Sequence, residues 1–221
     1  MVFSFDDILK AETLIRPYVC NTPVKAFETL NAFFHAQVYF KCENLQKAGA
    51  FKFRGATHAV QRLSGEEARR GVATHSSGNH AAALSLAARH RGVPAYIVMP
   101  SNSSETKIQK VREYGGEIMF CEPTLEARES GLEQVVDQTG ATFVPPYDHP
   151  DIICGQATAA LELLREIADA DIILSPVGGG GLLSGTALAA KNLFPDALVV
   201  GAEPAHADDA LQSLKAGKII P

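Results

Sequence analysis

Beyond residue 56, the apolar positions of the chain fall alternately into two patterns. Short apolar blocks bounded by proline or glycine, such as "PAYIVMP", read as buried strands. Longer stretches rich in Ala, Leu and spaced charges, such as "GNHAAALSLAARHRG", read as helices, here with an Arg-Gly stop. The predicted order is helix "ATHAVQRLSGEEARRG", strand "VATHSS", helix "GNHAAALSLAARHRG", strand "PAYIVMP", helix "SSETKIQKVREYGG", strand "EIMFCE", helix "TLEARESGLEQVVDQTG" and strand "ATFVPPY". After the Pro- and Asp-rich loop "YDHPDIIC" come helix "GQATAALELLREIA", strand "ADIILSPV", helix "GLLSGTALAAKNLF" and strand "ALVVGAEP". Wholly apolar strands separated by helices require parallel sheets covered on both faces. The fold class is therefore α/β, in two domains that each carry a mainly parallel sheet flanked by helices. The loop at 147–152 marks the boundary. Residues 1–67 and 147–221 then form a larger domain, and residues 68–146 a smaller one.

The N-terminal part is different in kind. "DDILKAETLIRPY" is an amphipathic helix and "VYFKCE" a strand, and "NLQKAGAFKFRGA" is a loop feeding a helix. That reading places Lys52 on a loop. The sequence holds no internal repeat and no low-complexity segment.

Composition narrows the function classes. The chain has 221 residues, 46% hydrophobic and 20% charged, with a formal net charge of −5. These are values of an ordinary globular enzyme. Its basic residues are scattered, so nucleic acid is not an expected partner. Apolar runs are too short to span a bilayer, and the start has acids where a signal peptide needs bases. A cytoplasmic location without membrane contact is expected. The cysteines at 20, 42, 121 and 154 show no C-x-x-C spacing and are expected to be buried thiols.

The chemistry begins with "SPVGGGGLLSG", where Gly178, Gly179, Gly180 and Gly181 join a buried strand to an apolar helix. Four consecutive glycines forgo much conformational entropy. Bare backbone beside the positive end of a helix makes an anion cradle suited to one phosphate. No lysine follows to make a P-loop, and no acid is placed to complete a dinucleotide fingerprint.

"GAFKFRGA" sets Lys52 between Phe51 and Phe53. On its own such a lysine faces solvent. A dry frame would instead lower its pKa and give a neutral amine able to form an imine. "THSSGNHAAA" crowds Ser76, Ser77, Asn79 and His80 around a helix start. That is more polar chemistry than a cap needs, and the N–H groups there would hold a carboxylate. Amine, phosphate cradle and carboxylate pocket together point to pyridoxal phosphate chemistry on an amino acid.

In the order "KCENLQKAGAFKFRGA", "SSGNHA", "SPVGGGGL" and "GAEP", the chain resembles the serine/threonine dehydratase and serine racemase family, of the tryptophan-synthase-β fold type (fold type II). The resemblance implies pyridoxal 5'-phosphate held by Lys52, with Lys52 also moving the Cα proton. It places Phe51 near the cofactor ring, Asn79 on the 3' oxygen and Gly178–Gly181 on the phosphate. Ser76, Asn79 and His80 would grip the substrate carboxylate, with Arg128 on the substrate side. The implied reaction is elimination of water from L-serine, L-threonine or a similar hydroxy amino acid, giving a 2-oxo acid and ammonia. Ser77, before the Gly-Asn pair, would supply the second acid/base that racemisation needs, so serine racemase is an alternative, as is 3-hydroxyaspartate dehydratase. "EPAHADD" resembles a Mg²⁺ or Ca²⁺ site made by Glu203, the Ala207 carbonyl and Asp209. Chains of this family run on past the length seen here, and the longer chain would complete the large domain, carry the polar group facing the pyridine nitrogen and form a homodimer. A non-enzyme reading, an inactive fragment of the fold, stands beside these.

Overall fold

The computed structural model describes residues 3–220. Helix α1 (Phe5–Ile15) starts at Ser4, whose backbone N–H and hydroxyl both reach Asp7 at 2.9 Å, and it buries Ile8, Ala11 and Ile15. Strands β1 (Val24–Ala26) and β2 (Tyr39–Lys41) form an antiparallel pair around helix α2 (Glu28–Phe34). Neither β1 nor α2 is anticipated from the sequence, because each is too short to show a period and α2 buries no side chain.

Next comes α3 (Lys52–Arg62), with eight of its eleven residues buried. Lys52 is thus the first helical residue, not part of a loop. The single helix expected over 56–71 is two, α3 and α4 (Gly65–Arg70). Ser64 breaks it with a capping box: its N–H donates to Glu67 Oε2 at 2.7 Å, and its Oγ accepts from the Glu67 N–H at 3.2 Å.

A four-stranded parallel sheet follows, built from β3 (Val72–His75), β4 (Ala95–Pro100), β5 (Glu117–Cys121) and β6 (Thr142–Phe143) in the order β5-β4-β3-β6. Helices α5 (Asn79–Arg91), α6 (Glu105–Glu113) and α7 (Leu125–Thr139) connect these strands. One face packs Ile97 and Met99 against Ala81, Leu84 and Ala88 of α5. The other packs Ala73 and Val98 against Leu132 and Val135 of α7. Both faces are covered, as the apolar strands require.

Helix α8 (Pro150–Glu166) begins inside the segment read as a loop. Pro150 occupies the first turn, where a missing N–H is harmless, and His149 Nδ1 accepts from the Asp151 N–H at 3.2 Å. Two further parallel strands, β7 (Ile172–Pro176) and β8 (Leu198–Ala202), flank α9 (Gly181–Leu193). The unanticipated α10 (Asp209–Ala216) comes last. A second core gathers Ile8, Leu161, Leu164, Ile173 and Ala189. Of the four cysteines only Cys154 is buried, and Cys20, Cys42 and Cys121 are half-buried free thiols. Among the described residues no helix is long and apolar enough to cross a membrane.

Candidate active site

Glycine contacts at α8 position the site. A Cβ on Gly155 would stand 2.7 Å from the Arg54 carbonyl oxygen and from Gly55 Cα, so α3 crosses α8 at backbone contact. A Cβ on Gly185 would stand 2.8 Å from Ala157 Cβ, so α9 also lies close against α8. The first turn of α3 carries Lys52, and the first turn of α9 carries the end of the glycine run. One helix thus fixes both.

Lys52 is held at a half-buried position. Its Nζ donates to the Pro146 carbonyl at 2.5 Å and lies 5.3 Å from the Phe51 ring centroid and 6.0 Å from that of Tyr147. Burial disfavours the ammonium and lowers the pKa from 10.5 to about 8. The expected frame is half right. Phe51 faces the amine, but Phe53 is wholly buried and makes an edge contact with His90, their ring centroids 5.7 Å apart. Helical geometry explains this, because neighbouring side chains on a helix point in different directions. Tyr147 takes the second place.

The segment 144–147 draws the rest together. The Val144 carbonyl accepts from His80 Nε2 at 3.0 Å, the Pro146 carbonyl accepts from Lys52, and the Tyr147 ring lies where a Cβ on Gly179 would stand. A Cβ on Gly181 would come 2.8 Å from the Tyr147 carbonyl oxygen. Gly180 has φ of +79°, a left-handed conformation that disfavours a side chain. A Cβ on Gly178 would meet nothing within 4 Å among the described residues. Packing thus requires glycine at 179 and 181 and backbone conformation requires it at 180, whereas neither requires it at 178.

At the start of α5, Ser76 and Ser77 are half-buried, Asn79 is exposed, and Ser76 Oγ accepts from the Gly78 N–H at 3.3 Å. His80 is 2% exposed. Desolvation pushes its pKa down to about 4, helped by the nearby Lys52 charge. With Nε2 donating to Val144, its Nδ1 is a buried lone pair without a partner among the described residues. His80 is neutral at pH 7 and offers no cation to a carboxylate. Arg128 is half-buried on α7, its Nε donating to the Thr124 carbonyl at 3.3 Å. Burial, with a smaller contribution from its charge, lowers the His75 pKa.

Glu203, Ala207 and Asp209 follow β8. Glu203 Oε1 accepts from the Ala210 N–H at 3.1 Å, and the Ala207 N–H donates to the Pro204 carbonyl at 2.9 Å. Among the described residues, no group of three or more His, Cys, Asp and Glu side chains is placed to hold a metal.

A part-buried ion cluster is centred on Arg54, two residues beyond the lysine. Arg54 forks to Glu43 (Nε–Oε2 and Nη2–Oε1, both 2.8 Å) and to Glu162 (Nη1–Oε1 and Nη2–Oε2, both 2.7 Å), while Lys41 reaches Glu162 at 2.8 Å. Burial alone would lower the Arg54 pKa, but the two carboxylates raise it above the ordinary value. The motif "FKFRG" signalled a basic residue there, but not its partners. Tyr147 and Gln156 carried no signal in the sequence, since an aromatic in a loop and a glutamine in a helix are commonplace.

These features fit pyridoxal 5'-phosphate: a desolvated amine, an aromatic frame and a glycine turn with room for an anion at Gly178. The sequence matches the family described as "Pyridoxal-phosphate dependent enzyme" over residues 15–221. It is 51% identical to a serine racemase from Arabidopsis thaliana over 96% of this chain and 64% of that protein, so it spans about two thirds of the relative's length. It is 48% identical to a beta-hydroxyaspartate dehydratase from Paracoccus denitrificans, over 98% of this chain and 69% of the relative. The solved structure of maize serine racemase superposes with a TM-score of 0.98 at 45% identity, covering 100% of this chain and 67% of that one. With the family model matching residues 15–221 and the α/β architecture superposing on a solved relative, the chain belongs to the pyridoxal-phosphate dependent enzyme family.

Proposed function

We propose that this chain carries the lysine and phosphate halves of an enzyme that eliminates water from L-serine/L-threonine-type hydroxy amino acids, giving a 2-oxo acid and ammonia. The supporting observation is Lys52, an amine with its pKa lowered to about 8, framed by Phe51 and Tyr147 and tied through Pro146–Tyr147 to the glycine turn. When bound, pyridoxal 5'-phosphate supplies the electron sink that lets a proton leave the Cα of an amino acid. Gly178–Gly181 would hold its phosphate, and Asn79 would stand on the side of its ring oxygen. Ser76, Asn79 and the first N–H groups of α5 hold the substrate carboxylate, while His80 shapes that turn as a neutral side chain. Arg128 lies on the substrate side. Lys52 takes the Cα proton, its neutral form being well populated near its lowered pKa.

Serine racemisation is the second reading. It is favoured by half-buried Ser77 on the same turn and by the 51% identity to a serine racemase. In that role Ser77 returns the proton on the face opposite Lys52. Elimination from 3-hydroxyaspartate is a further form of the first reading, supported by the 48% identical relative. A divalent cation on Glu203, Asp209 and the Ala207 carbonyl belongs to the proposal on donor chemistry alone. A raised unfolding midpoint with Mg²⁺ or Ca²⁺, reversed by a chelator, is its test. The two domains read from the sequence, and a cytoplasmic homodimer for the longer protein, complete the proposal.

The protein with pyridoxal 5'-phosphate is to be incubated with L-serine, L-threonine and 3-hydroxyaspartate, measuring 2-oxo acid and D-isomer. Production of 2-oxo acid, abolished in Lys52→Ala, is expected. Cofactor capture should rise with pH and level off above about 8, where the amine is neutral. D-serine that disappears in Ser77→Ala while elimination continues selects the racemase. A protein that neither captures the cofactor nor turns over any of the three is the inactive fragment.

A further inference from the structure

Gln156 is 1% exposed and sits on α8 between the two helices that bear the site. Its Cγ lies 3.1 Å from where a Cβ on Gly55 would stand, and its Oε1 lies 2.9 Å from the same point on Gly181. The side chain therefore runs from the helix of Lys52 to the first residue of α9. Among the described residues neither Oε1 nor Nε2 has a hydrogen-bond partner, and both are shielded from solvent. Burying an amide unpaired is costly, a cost that methionine or leucine of similar volume would not incur. Its Oε1 abuts Gly181, where bare backbone and a helix of thirteen residues present their positive end.

We propose that Gln156 belongs to the anion site at Gly178–Gly181, and that the N–H of its amide gains an acceptor when a phosphate monoester seats on that turn. An N–H of the amide serves the phosphate oxygens, and the turn, α3 and α8 are clamped together as it does so. The inference rests on the cofactor reading only for the identity of the ester, because phosphate recognition here does not need Lys52.

The test is titration of cofactor-free protein with inorganic phosphate, pyridoxal 5'-phosphate and pyridoxal, followed by ligand fluorescence and the unfolding midpoint. Gln156→Met is expected to lose about tenfold or more in affinity for the two phosphate-bearing ligands, in line with a hydrogen bond to a charged group. It should bind pyridoxal as the wild type does and, without ligand, melt no lower. Gln156→Glu keeps the size and adds a like charge, so it should lose more than the Met variant. Unchanged phosphate affinity in both variants overturns the proposal. So does an equal loss for pyridoxal and its phosphate ester, which marks a purely structural role. If the Met variant does not fold, the Glu variant with the same three ligands decides. Lys52→Ala should keep phosphate and lose pyridoxal. A wild type that binds phosphate but not pyridoxal sinks the cofactor reading while the phosphate comparison still decides this one, and a wild type that binds neither sinks both.

Discussion

Lys52 and His80 are both desolvated, which lowers both pKa values, with different consequences. The lysine keeps an accessible amine with its pKa lowered to about 8, which makes it a nucleophile and base near neutral pH. His80 is sealed in, its pKa pushed to about 4, and it holds the Val144 carbonyl as a neutral ring. Since its folded pKa lies below the unfolded 6.5, the unfolded chain binds more protons between the two values. Stability is full above about pH 6.5 and is lost as pH falls toward 4. His80→Gln should flatten that limb of a stability–pH curve, removing roughly 2–4 kcal/mol of its acid sensitivity, as measured by urea unfolding at pH 7 and pH 4.5. At this scale Lys52 and the four glycines were legible because such residue types in such surroundings are locally improbable. Tyr147 was not, because its role comes from lying against Gly179 and Lys52, which are distant in sequence.

Among the elements, α8 does most to place the site, and it does so through missing side chains. Gly155→Ala would drive a methyl into the Arg54 carbonyl and Gly55. It should cost about 1–3 kcal/mol of stability, as overpacking does, and weaken cofactor capture more than a substitution of equal cost on α6. Matched denaturation and cofactor titration check this. The strand–helix alternation was legible, since buried parallel strands and amphipathic helices carry distinct periods. Two boundaries were not read correctly. Ser64 with Glu67 ends one helix and opens another, a signal present in "SGEE" but outweighed by the continuing apolar pattern. Pro150 opens α8, although Pro and Asp at a helix start look like a loop when read one residue at a time. β1 and α2 had no legible period at all.

Across the whole molecule, Arg54 ties together segments 108 residues apart, joining β2 and the turn at Glu43 to α3 and α8. The cluster of Lys41, Arg54, Glu43 and Glu162 balances two charges of each sign. Removing Arg54 leaves two part-buried carboxylates uncompensated, so Arg54→Met should destabilise by about 2–4 kcal/mol, somewhat less than for a fully buried pair. Removing Arg54 and both carboxylates together in favour of apolar residues should cost much less, and urea midpoints of the single and triple variants distinguish the two. The sequence by itself determined the α/β class, the amine, the glycine turn and the polar helix start. Each of these is a local demand of backbone conformation or residue chemistry, written in consecutive positions. Only the tertiary structure decided that Tyr147 and not Phe53 frames Lys52, that Val144 and Pro146 lend their carbonyls, that Arg54 is paired and that Gln156 is not. Those outcomes depend on which surfaces meet when helices cross at backbone contact, and no single stretch of chain encodes that meeting.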